Sequence, residues 1–217
     1  MGELEFISLL DGLLLGDGGL VRTSRVSARF QLNQAASNVE LVNLTESILG
    51  SHGIIPRRNF RAGGVRLIKS GPKAGKTYVQ QDVHYVSSRD VRGLLGHWNR
   101  WYHTGKKAVP PDISLKDPRT LALWHMGDGS YQKTVRGVHV VHLHTNGFDD
   151  PSVETLCAAL QRDHGLHSNI VRWRRTPVIA LRSMNAKEFC DITRSHMEPH
   201  FLYKVPYIDI KHHHLCK

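Results

Sequence analysis

The chain has 217 residues, 40% hydrophobic and 22% charged, enough to bury a real core as one large domain or two small ones and unlike a disordered polymer. Its 29 Lys and Arg against 19 Asp and Glu leave a formal charge of +10, a field that draws polyanions, nucleic acid first and an anionic membrane surface second. Cys157, Cys190 and Cys216 are too widely spaced for a disulfide framework or a zinc ribbon, so a reducing compartment is expected. No apolar run approaches the roughly 20 residues of a membrane span. Glu3 and Glu5 stand where a secretory signal or an Arg-rich transit peptide would be basic.

From Phe6, the residues Ile7, Leu9, Leu10, Leu13 and Leu14 predict a helix that is apolar on most of its surface and therefore buried. Gly12 and Gly16, four apart, share a face and leave a strip where a second backbone can come close. Gly18 and Gly19 stop this helix just past Asp17. Next, Val26, Ala28, Phe30 and Leu32 alternate with Ser27, Arg29, Gln31 and Asn33, the period of a strand with a basic, amide-bearing outer face. With Leu20 to Thr23 before it, this predicts a hairpin. Asn38 is expected to cap a helix carrying Leu41, Leu44 and Ile48 that closes near Gly50 and Gly53. A second hairpin is expected from 65–70 and 76–86 around the turn 71–75, then a helix from Ser88 with Leu94, Trp98 and Trp101 on one face.

Thr104 to Pro111, with Gly105 and the paired Pro110 and Pro111, marks a boundary. Asp117-Pro118 supplies an N-cap and a helix-starting proline, and Leu121 to Gly127 leads to Asp128. The order then runs again. Val141 and Leu143 alternate with His142 and His144, and Asp150-Pro151 starts a helix with Val153, Leu156 and Leu160. Strands are expected at 170–174 and 178–183, before a helix opened by Asn185 and Glu188. The stretches Leu10 to Gly19 and Leu121 to Ser130 are thus one object built twice, an apolar run ending in Gly-Asp-Gly ahead of a polar alternating hairpin.

Such a duplication implies a pseudo-twofold assembly inside one chain. Two helices crossing at their glycine strips would bring Asp17 and Asp128 together, where a lone pair of carboxylates would repel. A hard divalent cation removes the conflict: Mg²⁺ takes oxygen ligands and is usually held by one or two carboxylates plus substrate phosphate. Metals so held stabilise the attacking and leaving oxygens of an in-line displacement at phosphorus.

On Leu10–Gly18 and Leu121–Gly129 the chain resembles the LAGLIDADG homing endonucleases in their single-chain, two-motif form. The stretches Gly105 to Pro110 and Tyr203-Lys204-Val205-Pro206 are of a kind seen in intron-encoded members. The resemblance implies an α+β fold of two pseudo-symmetric α-β-β-α-β-β-α halves, antiparallel β saddles packed at a two-helix interface. The halves would be 1–103 and 117–217, joined by a connector at 104–116. It implies a monomer that makes a site-specific, Mg²⁺-dependent double-strand cut with 3′ overhangs in a long double-stranded DNA target, with Mn²⁺ or Ca²⁺ able to take the same sites. Carried over by position, Asp17 and Asp128 are the metal ligands, and Gly16 and Gly127 belong to the same metal sites. Lys107 (Lys106 is the adjacent alternative) and Lys204 lie near the scissile phosphates, and Gln31 and His144 help hold the attacking water.

Arg22, Arg25, Arg29, Gln31, Asn33, Arg66, Lys69, His142, Arg172, Arg174 and Arg182 are expected to touch DNA, some reading guanine edges and more holding phosphates. The motifs depart from the family pattern at Asp11, where a small residue is usual, at Leu123, a glycine position, and at Leu15 and Met126, often acidic. His142 and His144 lack a second pair at zinc-ligand spacing, His212 to His214 read as a basic tail, and Trp98, Trp101 and Trp124 as core. Two other readings stay open on the same fold: an intron RNA maturase and a non-catalytic DNA-binding regulator. An organelle (mitochondrion or chloroplast) or a prokaryotic cytoplasm is the expected setting, with no membrane partner.

Overall fold

The computed structural model describes residues 2–72 and 74–208; His212 to His214 and Cys216 lie outside them. In chain order the elements are α1 (Glu3–Leu15), β1 (Gly18–Arg22), β2 (Ala28–Ala35), α2 (Val39–Ser51), β3 (Pro56–Arg61), β4 (Gly64–Leu67), β5 (Thr77–Gln80), β6 (Val83–Ser88) and α3 (Leu94–Trp101). They continue as α4 (Pro118–Asp128), β7 (Gly129–Lys133), β8 (His139–His144), α5 (Asp150–His164), β9 (Asn169–Trp173), β10 (Thr176–Arg182), α6 (Met184–Arg194) and a 3-10 helix, Pro199–Lys204. Among the described residues no helix is long and apolar enough to cross a membrane.

Two compact units emerge, Asp17–Trp98 in one and Gly2–Gly16 with 99–208 in the other. The first holds an antiparallel sheet in the order β1-β2-β6-β3. Along β2, Ala28, Phe30 and Leu32 are buried while Arg29, Gln31 and Asn33 are exposed, as the period of two requires. Helix α2 covers the inner side with Leu41, Val42, Ile48 and Leu49. The hairpin expected across 65–86 is divided. β6 pairs with β3 inside the sheet, and β4 and β5 pair apart from it as a two-stranded ribbon. Ser88 ends β6 instead of opening a helix: it is buried, its hydroxyl accepts from the Phe30 N–H, and α3 starts at Leu94. Asn38 does stand at the N-cap of α2, but its side chain donates to Gln34 and makes no cap.

The second unit holds the sheet β7-β8-β10-β9, with α5 and α6 packed against it. Helix α1 belongs to this unit because it crosses α4. At the crossing, a Cβ built on Gly12 would lie 2.7 Å from the Thr120 carbonyl oxygen, and one on Gly16 would lie 3.4 Å from Gly127 Cα. Glycine at 12 is what allows the two backbones to touch, whereas a Cβ at 16 would make ordinary contact, and the buried Leu9, Leu10, Leu13, Leu14 and Leu15 belong to the same helix. Asp117 caps α4, accepting from the Arg119 N–H with Pro118 in the first turn. The cap of α5 falls one residue earlier than expected, on Asp149, which accepts from the Ser152 N–H. Asn185 opens no capping box; its amide oxygen accepts from the His167 N–H.

Candidate active site

Helix α1 ends at Leu15, the chain turns at Gly16, and Asp17 follows as an exposed residue immediately before β1. Its Oδ2 accepts a 2.6 Å hydrogen bond from Gln34 Nε2, and Gln34 Oε1 in turn accepts from Asn38 Nδ2 at 2.9 Å. Gln34 is 5% exposed and lies on the inner face of β2 with Phe30 and Leu32. Gln31 lies on the outer face, as its parity predicts, and a second amide, Gln34, orients Asp17 from the inner face. The signal was present: a glutamine stands where the period of two calls for an apolar residue.

Asp128 closes α4 and is half-buried. One turn earlier, His125 is fully buried, and its Nε2–H donates to the Lys204 carbonyl at 3.0 Å. Burial above all holds this imidazole neutral, with a pKa depressed to about 3. His125 Nδ1 has no hydrogen-bond partner, and a Cβ on Gly129 would lie 1.8 Å from it, so the second motif requires glycine after Asp128. His144, half-buried on β8, shares a 3.0 Å hydrogen bond with Ser130 Oγ. Burial lowers its pKa, and the Lys204 ammonium adds to the effect.

Lys107 and Lys204 occupy equivalent places. Lys107 Nζ donates to the Gly16 carbonyl at 3.4 Å and sits 5.4 Å from the centre of the Phe148 ring. Lys204 Nζ donates to the carbonyls of His125 (3.2 Å) and Met126 (2.9 Å) and sits 5.4 Å from that of Phe201. Each lysine therefore meets the carbonyl end of one motif helix, where the macrodipole concentrates negative charge and a motif aspartate follows. Lys106 is exposed and makes no such contact.

The expected DNA contacts divide by face. Register places Arg29, Gln31 and Asn33 of β2 beside Tyr85 and Ser87 of β6, and these beside Arg57, Asn59 and Arg61 of β3, all on one side of the first sheet. Arg61 lies 5.0 Å over the Tyr85 ring. Arg57, Asn59 and Arg61 were missed because β3 was missed. Arg25 is exposed in the β1–β2 turn, and Arg66 and Lys69 lie in or next to the ribbon, outside the sheet. Arg22 departs from expectation, with its guanidinium 5.4 Å from the Trp98 ring and Nε donating to the Ser24 carbonyl.

In the second sheet, Arg182 is exposed and shares a face with His142 and His144. Arg174 stands with Arg175 at the β9–β10 turn, both at positive φ (50° and 74°). Two expected contacts are corrected. His142 is 4% exposed, covered by Trp173 at 4.8 Å between ring centres, and so offers no edge to a partner as it stands. Arg172 alternates to the other face and pairs with Asp150.

Among the described residues no group of three or more His, Cys, Asp or Glu is arranged to hold a metal. A soft or borderline metal that needs a protein cage does not suit these residues, whereas a hard ion completed by phosphate oxygens and water suits an exposed aspartate such as Asp17.

This fold and these motifs define a class. The chain belongs to the LAGLIDADG DNA endonuclease family, a model of which matches residues 7–189. It is 26% identical over 199 residues to the uncharacterised protein MJ1098 of Methanocaldococcus jannaschii, covering 91% of this chain and 72% of that one. It is also 28% identical over 115 residues to the probable intron-encoded DNA endonuclease 3 of Mycosarcoma maydis, covering 50% of this chain and 82% of the relative. The homing endonuclease I-WcaI, solved bound to its DNA recognition sequence, has the same fold, with a TM-score of 0.71 at 20% identity over 96% of this chain and 90% of that one.

Proposed function

We propose that the protein is a site-specific endonuclease that cuts both strands of a long double-stranded DNA target as a monomer, leaving 3′ overhangs. In this reading Asp17 and Asp128 hold divalent ions, Mg²⁺ first, and the halves 1–103 and 117–217 each serve one strand. The observation that carries it is the contact of Gly16 with Gly127, the residues immediately before the two aspartates. Each aspartate follows a glycine of the crossing, and a lysine meets the carbonyl end of each motif helix, an arrangement that suits phosphodiester chemistry. The intron-encoded relative and the DNA-bound state of I-WcaI support the choice of substrate.

The chain's own residues supply the rest. Arg29, Arg57 and Arg61 hold phosphates on the face of the first sheet, and Gln31 and Asn33 offer amides to base edges. Gln34 fixes the orientation of Asp17. The Lys107 and Lys204 ammonium groups offset the charge that builds on the phosphoryl oxygens in the transition state. The ion, when bound, acts as a Lewis acid and lowers the pKa of its water. The test is Asp17→Asn and Asp128→Asn, each assayed for DNA binding and cleavage with Mg²⁺. Binding should persist and double-strand cutting should disappear; full cutting by both variants would refute the assignment.

A further inference from the structure

Each motif helix carries one buried side chain that can ionise, in addition to the buried Thr120 hydroxyl of α4. In α1 it is Asp11, 1% exposed, in α4 it is His125, and both reach toward the segment that bears a lysine. Arg100 forks between two carboxylates: Nη1 donates to Asp11 Oδ1 and Oδ2 at 2.7 and 2.9 Å, and Nε donates to Asp112 at 2.9 Å. Trp101 Nε1 donates to Asp11 at 2.8 Å as well. Residues 102–111, Lys107 among them, are therefore held at both ends through this one guanidinium. In between, the Trp101 carbonyl accepts from the Ala108 N–H at 2.8 Å, and the Trp101 ring meets Phe148, the ring under Lys107 Nζ, at 6.3 Å.

The second half reaches the same end by other chemistry. His125 donates to the Lys204 carbonyl, and the Lys204 ammonium returns a hydrogen bond to the His125 carbonyl, a reciprocal clasp. The other end of the 3-10 segment is tied to the same helix, with the Glu198 N–H 3.4 Å from Met126 Sδ. We infer that Asp11 and His125 are positioning residues, each setting the place of one lysine, Lys107 and Lys204 respectively, and so the rate at which one DNA strand is cut. The inference rests on the lysine roles proposed above. Its consequence is that the two strands are controlled separately, one through a carboxylate–guanidinium pair and the other through a neutral imidazole.

The probe is a duplex recovered from a randomised pool by selection for cleavage by the unaltered protein with Mg²⁺, labelled separately on each strand. Lys107→Met and Lys204→Met identify the strand that depends on each lysine. Asp11→Asn should then slow the Lys107-dependent strand about 10- to 100-fold, the size expected for misplacement by an ångström or less, and accumulate nicked product. His125→Leu should do the same to the other strand, and His125→Gln, which keeps an N–H donor, should restore it. DNA affinity should stay within a factor of about two, since Asp11 and His125 are buried in the motif helices and offer no surface to DNA. Hydrogen exchange should rise in 102–112 for Asp11→Asn and in 199–205 for His125→Leu.

Equal slowing of both strands by Asp11→Asn or His125→Leu overturns the inference, as does strand-selective behaviour of the lysine variants that Asp11 and His125 do not reproduce. Lysine variants that cut both strands at the unaltered rate would instead remove the lysine roles, and the positioning roles with them. Should Asp11→Asn fail to fold, Asp112→Asn, whose side chain is exposed, weakens the outer arm of the same fork and must slow the same strand.

Discussion

Replacing Gly12 by Ala isolates the helix crossing on which the site depends. Alanine is the better helix former by about 1 kcal/mol, so on propensity alone the change stabilises α1. The crossing reverses the sign. A Cβ at 12 would lie 2.7 Å from the Thr120 carbonyl oxygen, and ordinary contact begins near 3.4 Å, so α1 and α4 must part by about 0.7 Å. Backbone cannot yield as the tip of a side chain can, and overpacking of this kind costs about 1–3 kcal/mol, here toward the upper end. The expected net is a loss of about 1–2 kcal/mol. Gly50 is the internal control, since it is exposed near the end of α2 and a Cβ there meets nothing within 4 Å. Gly50→Ala should gain about 0.5–1 kcal/mol. Urea unfolding followed by circular dichroism should therefore move the two midpoints in opposite directions at unchanged slope. If Gly12→Ala moves its midpoint upward as Gly50→Ala does, the close crossing is wrong.

Acid should weaken the fold through His125. The unfolded imidazole takes a proton near pH 6.5, while the buried one stays neutral down to about 3. The stabilisation is therefore complete above about pH 6.5 and is lost as pH falls toward 3, at about 1.4 kcal/mol per unit. Between pH 7 and 5 the protein should lose about 2 kcal/mol more than His125→Gln does, and equal losses would contradict the assignment. On DNA, Arg57→Ala and Arg61→Ala should each lower the slope of log affinity against log salt by about 0.9, the signature of one phosphate contact. Arg172→Ala, on the opposite face and paired with Asp150, should leave that slope unchanged.

What could be read from residues alone tracks the range of the forces involved. The period of β2 between Ala28 and Asn33 specified its outer face, because each residue there meets sheet or solvent by parity alone. The spacing of Gly12 and Gly16 announced the crossing, since a helix repeats its face every three or four residues. The edge strand β3 was not legible: Arg57, Arg58, Asn59 and Arg61 are polar on both faces, and Arg58 finds Glu46 and Asn43 of α2 on the inner one. The division of 65–86 into β6 and a separate ribbon was equally hidden, because pairing with β3 wins over pairing within the hairpin and leaves no mark in local periodicity.

Local pattern was thus enough to determine the duplication, the two Gly-Asp-Gly ends and the basic outer face of β2, all of which follow from spacing along the chain, while the lysine-bearing segments were legible only through the family resemblance. Tertiary structure decided which buried polar groups hold them. Gln34 on Asp17, Asp11 on Arg100 and Trp101, and His125 on Lys204 are pairings across 17 to 90 residues. A buried polar side chain must find a partner or forfeit its hydrogen bonds, and which partner it finds depends on what the fold brings beside it.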